Sequence, residues 1–83
     1  MEKRIGTITI LIRDREAAAS VNRSMSEHAD IILCRQGLPF HDRPVAVISL
    51  IVEGSVDKIN ALTGVIGRLE GVECKAVVTR NAT

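Results

Sequence analysis

Aromatic residues are almost missing: Phe40 stands alone, with no Trp and no Tyr in 83 residues. A core without aromatic bulk must be filled by Ile, Val, Leu and Ala, which favours aliphatic helices packed on a β-branched sheet. The same scarcity removes the stacking platforms on which RNA-recognition sheets seat bases. A dominant charge is missing too, since 11 basic and 10 acidic residues leave a formal +1. Nothing therefore draws the chain toward a polyanion, and no direct nucleic-acid partner is expected. The two cysteines are too few and too widely spaced for iron–sulfur ligation, a Cys-x-x-Cys metal loop or a secreted disulfide scaffold. No apolar stretch approaches the roughly 20 residues that cross a bilayer. Met1-Glu2-Lys3-Arg4 leads into a strand-like segment instead of an apolar leader, so no membrane partner and a reducing, cytoplasmic location are expected.

What is present is strong periodicity. Residues 5–12 alternate, with Ile8, Ile10 and Ile12 on one face and Thr7, Thr9 and Leu11 on the other, as in a strand. Asp14 can cap a helix running to about Glu27, because Ala18, Val21 and Met25 recur at spacings of three and four. His28 suits the negative end of that helix. A second strand over Ile31 to Leu38 sets Ile32, Cys34 and Leu38 in one phase and Arg35 in the other, before Pro39 closes it. Val45 to Val52 is apolar in both phases, as expected of a central strand. Ser55 caps a second helix with Asp57 in its first turn, an apolar stripe at Ile59, Leu62, Ile66 and Leu69, and Arg68 and Gly71 at its end. Val72 to Thr79 alternates again and makes a fourth strand.

Two strand-helix-strand units joined by a hairpin, with right-handed crossovers, give an α+β ferredoxin-like βαββαβ fold. Its antiparallel sheet has the order 4-1-3-2, with both helices on one face. One domain over residues 1–83 accounts for the whole chain. So small a domain buries little apolar surface alone. Ile5, Leu11, Val45, Val47, Ile51 and Val77 also fall in the phase facing away from the helices, an apolar patch that monomers avoid. A homo-oligomer built through the open sheet face is expected.

Sites are sparse. Cys34 and Cys74 fall on opposite edge strands, about 14 Å apart and beyond disulfide reach; sharing the phase of core aliphatics, they read as buried thiols. His28 and His41 match no metal-ligand spacing and read as a helix-end and a solvated hairpin residue, so no metal or other cofactor is called for. The turn Ile12-Arg13-Asp14-Arg15-Glu16 lacks the glycine-rich anion cradle of acylphosphatases, and no nucleophile–base set occurs, so an enzyme is not expected. Gly64 and Gly67 cost helix stability, and contact with the sheet beneath, a partner or a ligand would offset them; Gly37 marks a bulge or a contact point. The charged turn Arg13-Asp14-Arg15 offers free backbone N–H groups, and with Arg35 and Gly37 it forms a candidate site for a small molecule or anion at a subunit interface.

Two segments carry a resemblance across nearly the whole chain: Ile32-Leu33-Cys34-Arg35-Gln36-Gly37-Leu38-Pro39, read as Leu-x-Arg-x-Gly-x-Pro, and Asn60-Ala-Leu-Thr-Gly-Val-Ile-Gly-Arg-Leu-Glu-Gly-Val72. The sequence resembles the small regulators of the iron-only hydrogenase system, which are related to ACT-type regulatory domains. The resemblance implies an ACT-like, homo-oligomeric module tied to regulation or assembly of that system, without catalytic activity. It is also similar to the metal-sensing half of the nickel-responsive repressor, but lacks that protein's ribbon-helix-helix segment and histidine-rich nickel pattern. Two roles follow: a regulatory ligand sensor, or a protein-interaction module without a small ligand. A metal sensor is the lesser third.

Overall fold

The computed structural model describes residues 2–80. Strand β1 (Arg4–Ile12) leads through a 3-10 turn (Arg15–Ala17) into α1 (Ala18–Glu27), and a second such turn (Ala29–Ile31) enters β2 (Ile32–Pro39). Then follow β3 (Ala46–Gly54), α2 (Val56–Gly67) and β4 (Val72–Val78). All strand pairs are antiparallel, and the order β2-β3-β1-β4 is the expected 4-1-3-2 counted from the other edge. The ferredoxin-like reading holds.

The core is built by the two periodicities. Ile8, Ile10 and Ile12 of β1 lie beside Leu50, Ile48 and Ala46 of β3, and Val21 and Met25 of α1 and Ile59, Leu62 and Ile66 of α2 close over them. Seven of these side chains, and Val52 of β3 with them, are essentially inaccessible to water, which makes their burial the main source of stability. Ser55 caps α2 by accepting the Lys58 N–H at 3.2 Å. At the far end of α1, His28 Nδ1 donates to the Ser24 carbonyl at 2.8 Å, a helix-end role as expected.

Helix α1 starts later than its spacing predicts. Asp14 Oδ1 accepts the Glu16 N–H at 3.0 Å, a local turn that produces 3-10 geometry before the helix proper. Gly71 fixes this turn: its carbonyl accepts the Arg13 N–H at 2.8 Å, and its φ of 78° is open to glycine. A methyl group there would stand 2.5 Å from the Asp14 Cβ.

The main departure lies in β2. Ile32 pairs with Val52, but Cys34 pairs with Ile51, so Leu33 is an unpaired bulge residue. One extra residue reverses the alternation beyond it. Cys34 and Leu38 therefore lie with Ile51 and Val47 on the open face, while Arg35 and Gly37 take the helix side opposite Leu50 and Ile48. The expected burial of Cys34 is thus incorrect: it is exposed, and only Cys74 is half-buried. The bulge is also not at Gly37. Both thiols are free and occupy opposite edge strands.

No helix covers the second sheet face. Across it run a row of Leu38, Val47, Leu11 and Glu73, a polar row of Gln36, Ser49, Thr9 and Lys75, and a row of Cys34, Ile51, Thr7 and Val77. Leu38 is 57% and Val77 74% exposed. Val45 differs from the open-face expectation: it precedes β3 and lines a cleft at the hairpin. Gly64 and Gly67 also differ, because neither is pressed against the sheet. A methyl at Gly64 would meet only the Arg68 guanidinium at 3.5 Å, and one at Gly67 only the Cys74 Cβ at 4.0 Å.

Three outcomes follow from this packing. In urea unfolding, Gly71→Ala loses at least about 1–2 kcal/mol, because it adds left-handed strain to the clash with Asp14. Gly64→Ala gains about 1 kcal/mol by removing a helix-interior glycine. In alkylation of the native protein near pH 8, Cys34 reacts about tenfold or more faster than Cys74, whose thiol is pushed up by burial. Equal rates, read by mass spectrometry, would contradict the bulge.

Candidate ligand-binding cleft

The strand ends at Ile12, Pro39 and Ala46 converge on one end of the sheet, where Asp14 also starts the turn into α1. The hairpin between β2 and β3 closes through Phe40 N–H to the Val45 carbonyl at 3.0 Å and Val45 N–H to the Arg43 carbonyl at 2.9 Å. Between the hairpin and the start of α1 lies a cleft of about 380 Å³. Ile12, Ala18, Pro39, Phe40, Val45 and Ala46 form its apolar wall, and Arg15, His41 and Arg43 supply the polar groups.

The cations differ in their commitments. The Arg43 guanidinium sits over the Phe40 ring, 4.9 Å from its centroid, and donates from Nε and Nη2 to the Asp42 carboxylate at 3.2 and 3.0 Å. That hydrogen bond holds the Asp42 carboxyl below the usual carboxylate range. Arg43 is thereby pinned against the sole aromatic residue and largely neutralised. Arg15 has no ion-pair partner among the described residues, so it is the group in the cleft available to a carboxylate or phosphate. An apolar wall with a few convergent polar groups fits a small amphipathic anion.

The five sequence-derived site residues are dispersed within one chain. Arg15 lines the cleft. Arg13 turns the other way, to an ion pair with Glu73 of β4 at 3.1 Å, and Asp14 packs on Gly71. Arg35 lies on β2 about 13 Å of strand before Pro39, and its guanidinium donates to Asn22 Oδ1 of α1 at 3.3 Å. Gly37 is exposed on β2. Phe40 and Arg43 were not singled out as site residues from the sequence. Their signal was an arginine three residues beyond the sole aromatic, inside a predicted turn.

His28 and His41 lie beyond opposite ends of β2, separated by the length of that strand. Among the described residues no group of three or more His, Cys, Asp or Glu stands close enough to hold a metal ion. No helix of the described chain is long and apolar enough to cross a membrane.

Comparison with known proteins places this architecture. The uncharacterized protein TM1266 from Thermotoga maritima superposes with a TM-score of 0.88 at 36% identity, over 95% of this chain and 100% of that one. The C-terminal domain of MgtC from Mycobacterium tuberculosis matches with a TM-score of 0.71 at 11% identity, over 96% and 92%. CutA1 from Oryza sativa matches with a TM-score of 0.54 at 17% identity, over 99% and 85%. At such identities the last two share the fold alone. No curated protein sequence matches the chain. The sequence model described as "TM1266-like: Iron-only hydrogenase system regulator, putative" matches residues 4–76. With nearly the whole chain covered by both the family pattern and the Thermotoga relative, this protein belongs to the TM1266-like family of iron-only hydrogenase system regulators.

Proposed function

We propose that this chain is a non-enzymatic regulatory module of the iron-only hydrogenase system that senses a small anionic molecule in the cleft between its β2–β3 hairpin and α1, within a homo-oligomer. Family membership supports the regulatory role. The observation that carries the sensing step is Arg15, an arginine without an ion-pair partner among the described residues, beside an apolar wall of Phe40, Pro39 and Ile12. An amino acid or short organic acid matches this chemistry: the guanidinium pairs with its carboxylate, and the wall receives its apolar part. Occupancy would tie the hairpin to the start of α1. A ligand that bridges them favours one relative placement and can thereby alter what the module contacts.

A second reading, a protein-interaction module without a small ligand, is favoured by one separate observation. The open face exposes Leu38, Ile51, Val77 and Ile5 together, an apolar surface suited to another protein chain.

Thermal unfolding against a panel of amino acids, organic acids and phosphates separates the two. The sensor reading predicts that one compound at about one hundred times its dissociation constant adds roughly 2.7 kcal/mol of stability, and that Arg15→Ala removes the shift while leaving the unliganded Tm nearly unchanged. A flat response across the panel overturns the sensor reading and leaves the interaction module.

A further inference from the structure

The two edges of the sheet are not alike. Strand β2 is blunted by the bulge at Leu33 and closes on Pro39, two devices that discourage a further strand. Strand β4 has no proline and keeps an unbroken register with β1 from Val72 to Val78. Hydrogen bonds from Arg13 N–H to the Gly71 carbonyl, 2.8 Å, and from Thr79 N–H to the Ile5 carbonyl, 3.0 Å, bracket that ladder. Antiparallel alternation then turns the backbone groups of Glu73, Lys75 and Val77 toward β1. Those of Cys74, Ala76 and Val78 point outward, unpaired, and so does the Val72 carbonyl, whereas the Val72 N–H donates to the Leu69 carbonyl at 3.3 Å. Along this edge runs a groove of about 620 Å³ lined by Thr9, Leu11, Gly67, Val72, Glu73, Cys74 and Lys75.

We infer that the occupant of this edge is β4 of a second copy, paired antiparallel about a two-fold axis at Cys74, which joins the two sheets into one of eight strands. Charge selects both the partner and the register. With Cys74 opposite Cys74 of the second copy, Glu73 faces Lys75 of the second copy and Lys75 faces its Glu73. Val72 then meets Ala76 of the second copy. An axis at Lys75 would set two lysines opposite each other, an axis at Glu73 two glutamates, and an axis at Ala76 would pair neither charge. The backbone agrees: Cys74 bonds its counterpart through both N–H and carbonyl, and the Ala76 N–H donates to the Val72 carbonyl of the second copy, so these become the hydrogen-bonded pairs. Glu73 and Lys75 become the non-hydrogen-bonded pair, in which side chains approach most closely.

Gly67 acquires a reason in this arrangement. It ends α2 directly above Cys74 without filling the space there, so the rim of the groove stays open for Cys74 of the second copy. A two-fold contact is self-complementary by construction, and β4 supplies that complementarity within three consecutive residues. The inference stands independently of the cleft.

The test uses the full chain in sedimentation velocity with two single variants, Lys75→Glu and Glu73→Lys, each exposed on β4. Wild type is expected to dimerise. Each variant alone sets only like charges across the junction and weakens the dimer about tenfold or more. A one-to-one mixture restores both opposite-charge contacts and forms a heterodimer about as tight as wild type. That rescue shows that both variants are folded and that the register is correct. A wild type monomeric up to about 1 mM, single variants that dimerise as tightly as wild type, or a mixture that gives no heterodimer would each overturn the inference.

Discussion

The antiparallel ladder between β1 and β3 is the constraint on which the rest of this small protein depends. It sets Ile8, Ile10 and Ile12 beside Leu50, Ile48 and Ala46, and the buried residues of both helices belong to the one core cluster built on this surface. Two helices cover one face of a four-stranded sheet and no more. The opposite face and the outer edge of β4 are therefore left to water or to other molecules. A chain of 83 residues gains so little from its own core that such leftovers weigh heavily. Features that a larger protein would bury internally stay exposed here.

The same ladder also builds the cleft. By ending β1, β2 and β3 at one level, it brings the start of α1 and the hairpin from Phe40 to Val45 to the same end of the molecule. The chain uses its sole aromatic residue there, with Arg43 over it and Arg15 beside it. Cleft and β4 edge lie at different borders of the sheet. The assembly proposed along β4 would leave the cleft open to solvent, so a ligand could reach an assembled protein.

Alternation and helical spacing made most of the fold legible, because the β1, β3 and helix stripes are strong and each face is strictly specified. They failed where a backbone event carries no side-chain signature. The bulge at Leu33 sent Cys34 to the open face, although Ile32, Cys34 and Leu38 follow a clean period of two. The candidate site was legible only in part. Arg13 and Arg15 are neighbours in sequence, yet a 3-10 turn sends one to Glu73 and the other to the cleft. Phe40 and Arg43 meet through the closure of the hairpin, which composition does not encode. The glycines of α2 show the reverse limit. They read as places where the sheet, a partner or a ligand comes close, and within the chain a methyl there would meet only the Arg68 guanidinium or the Cys74 Cβ.

Amide hydrogen exchange along β4, followed by NMR at low and high protein concentration, tests most directly whether a second copy completes the sheet. In a monomer Glu73, Lys75 and Val77 are protected by β1 while Cys74, Ala76 and Val78 exchange quickly, because their N–H groups face water. The account predicts that this alternation disappears as concentration rises, with Cys74 and Ala76 gaining protection. Persistence of rapid exchange at those two residues in a protein that is otherwise associated would contradict it.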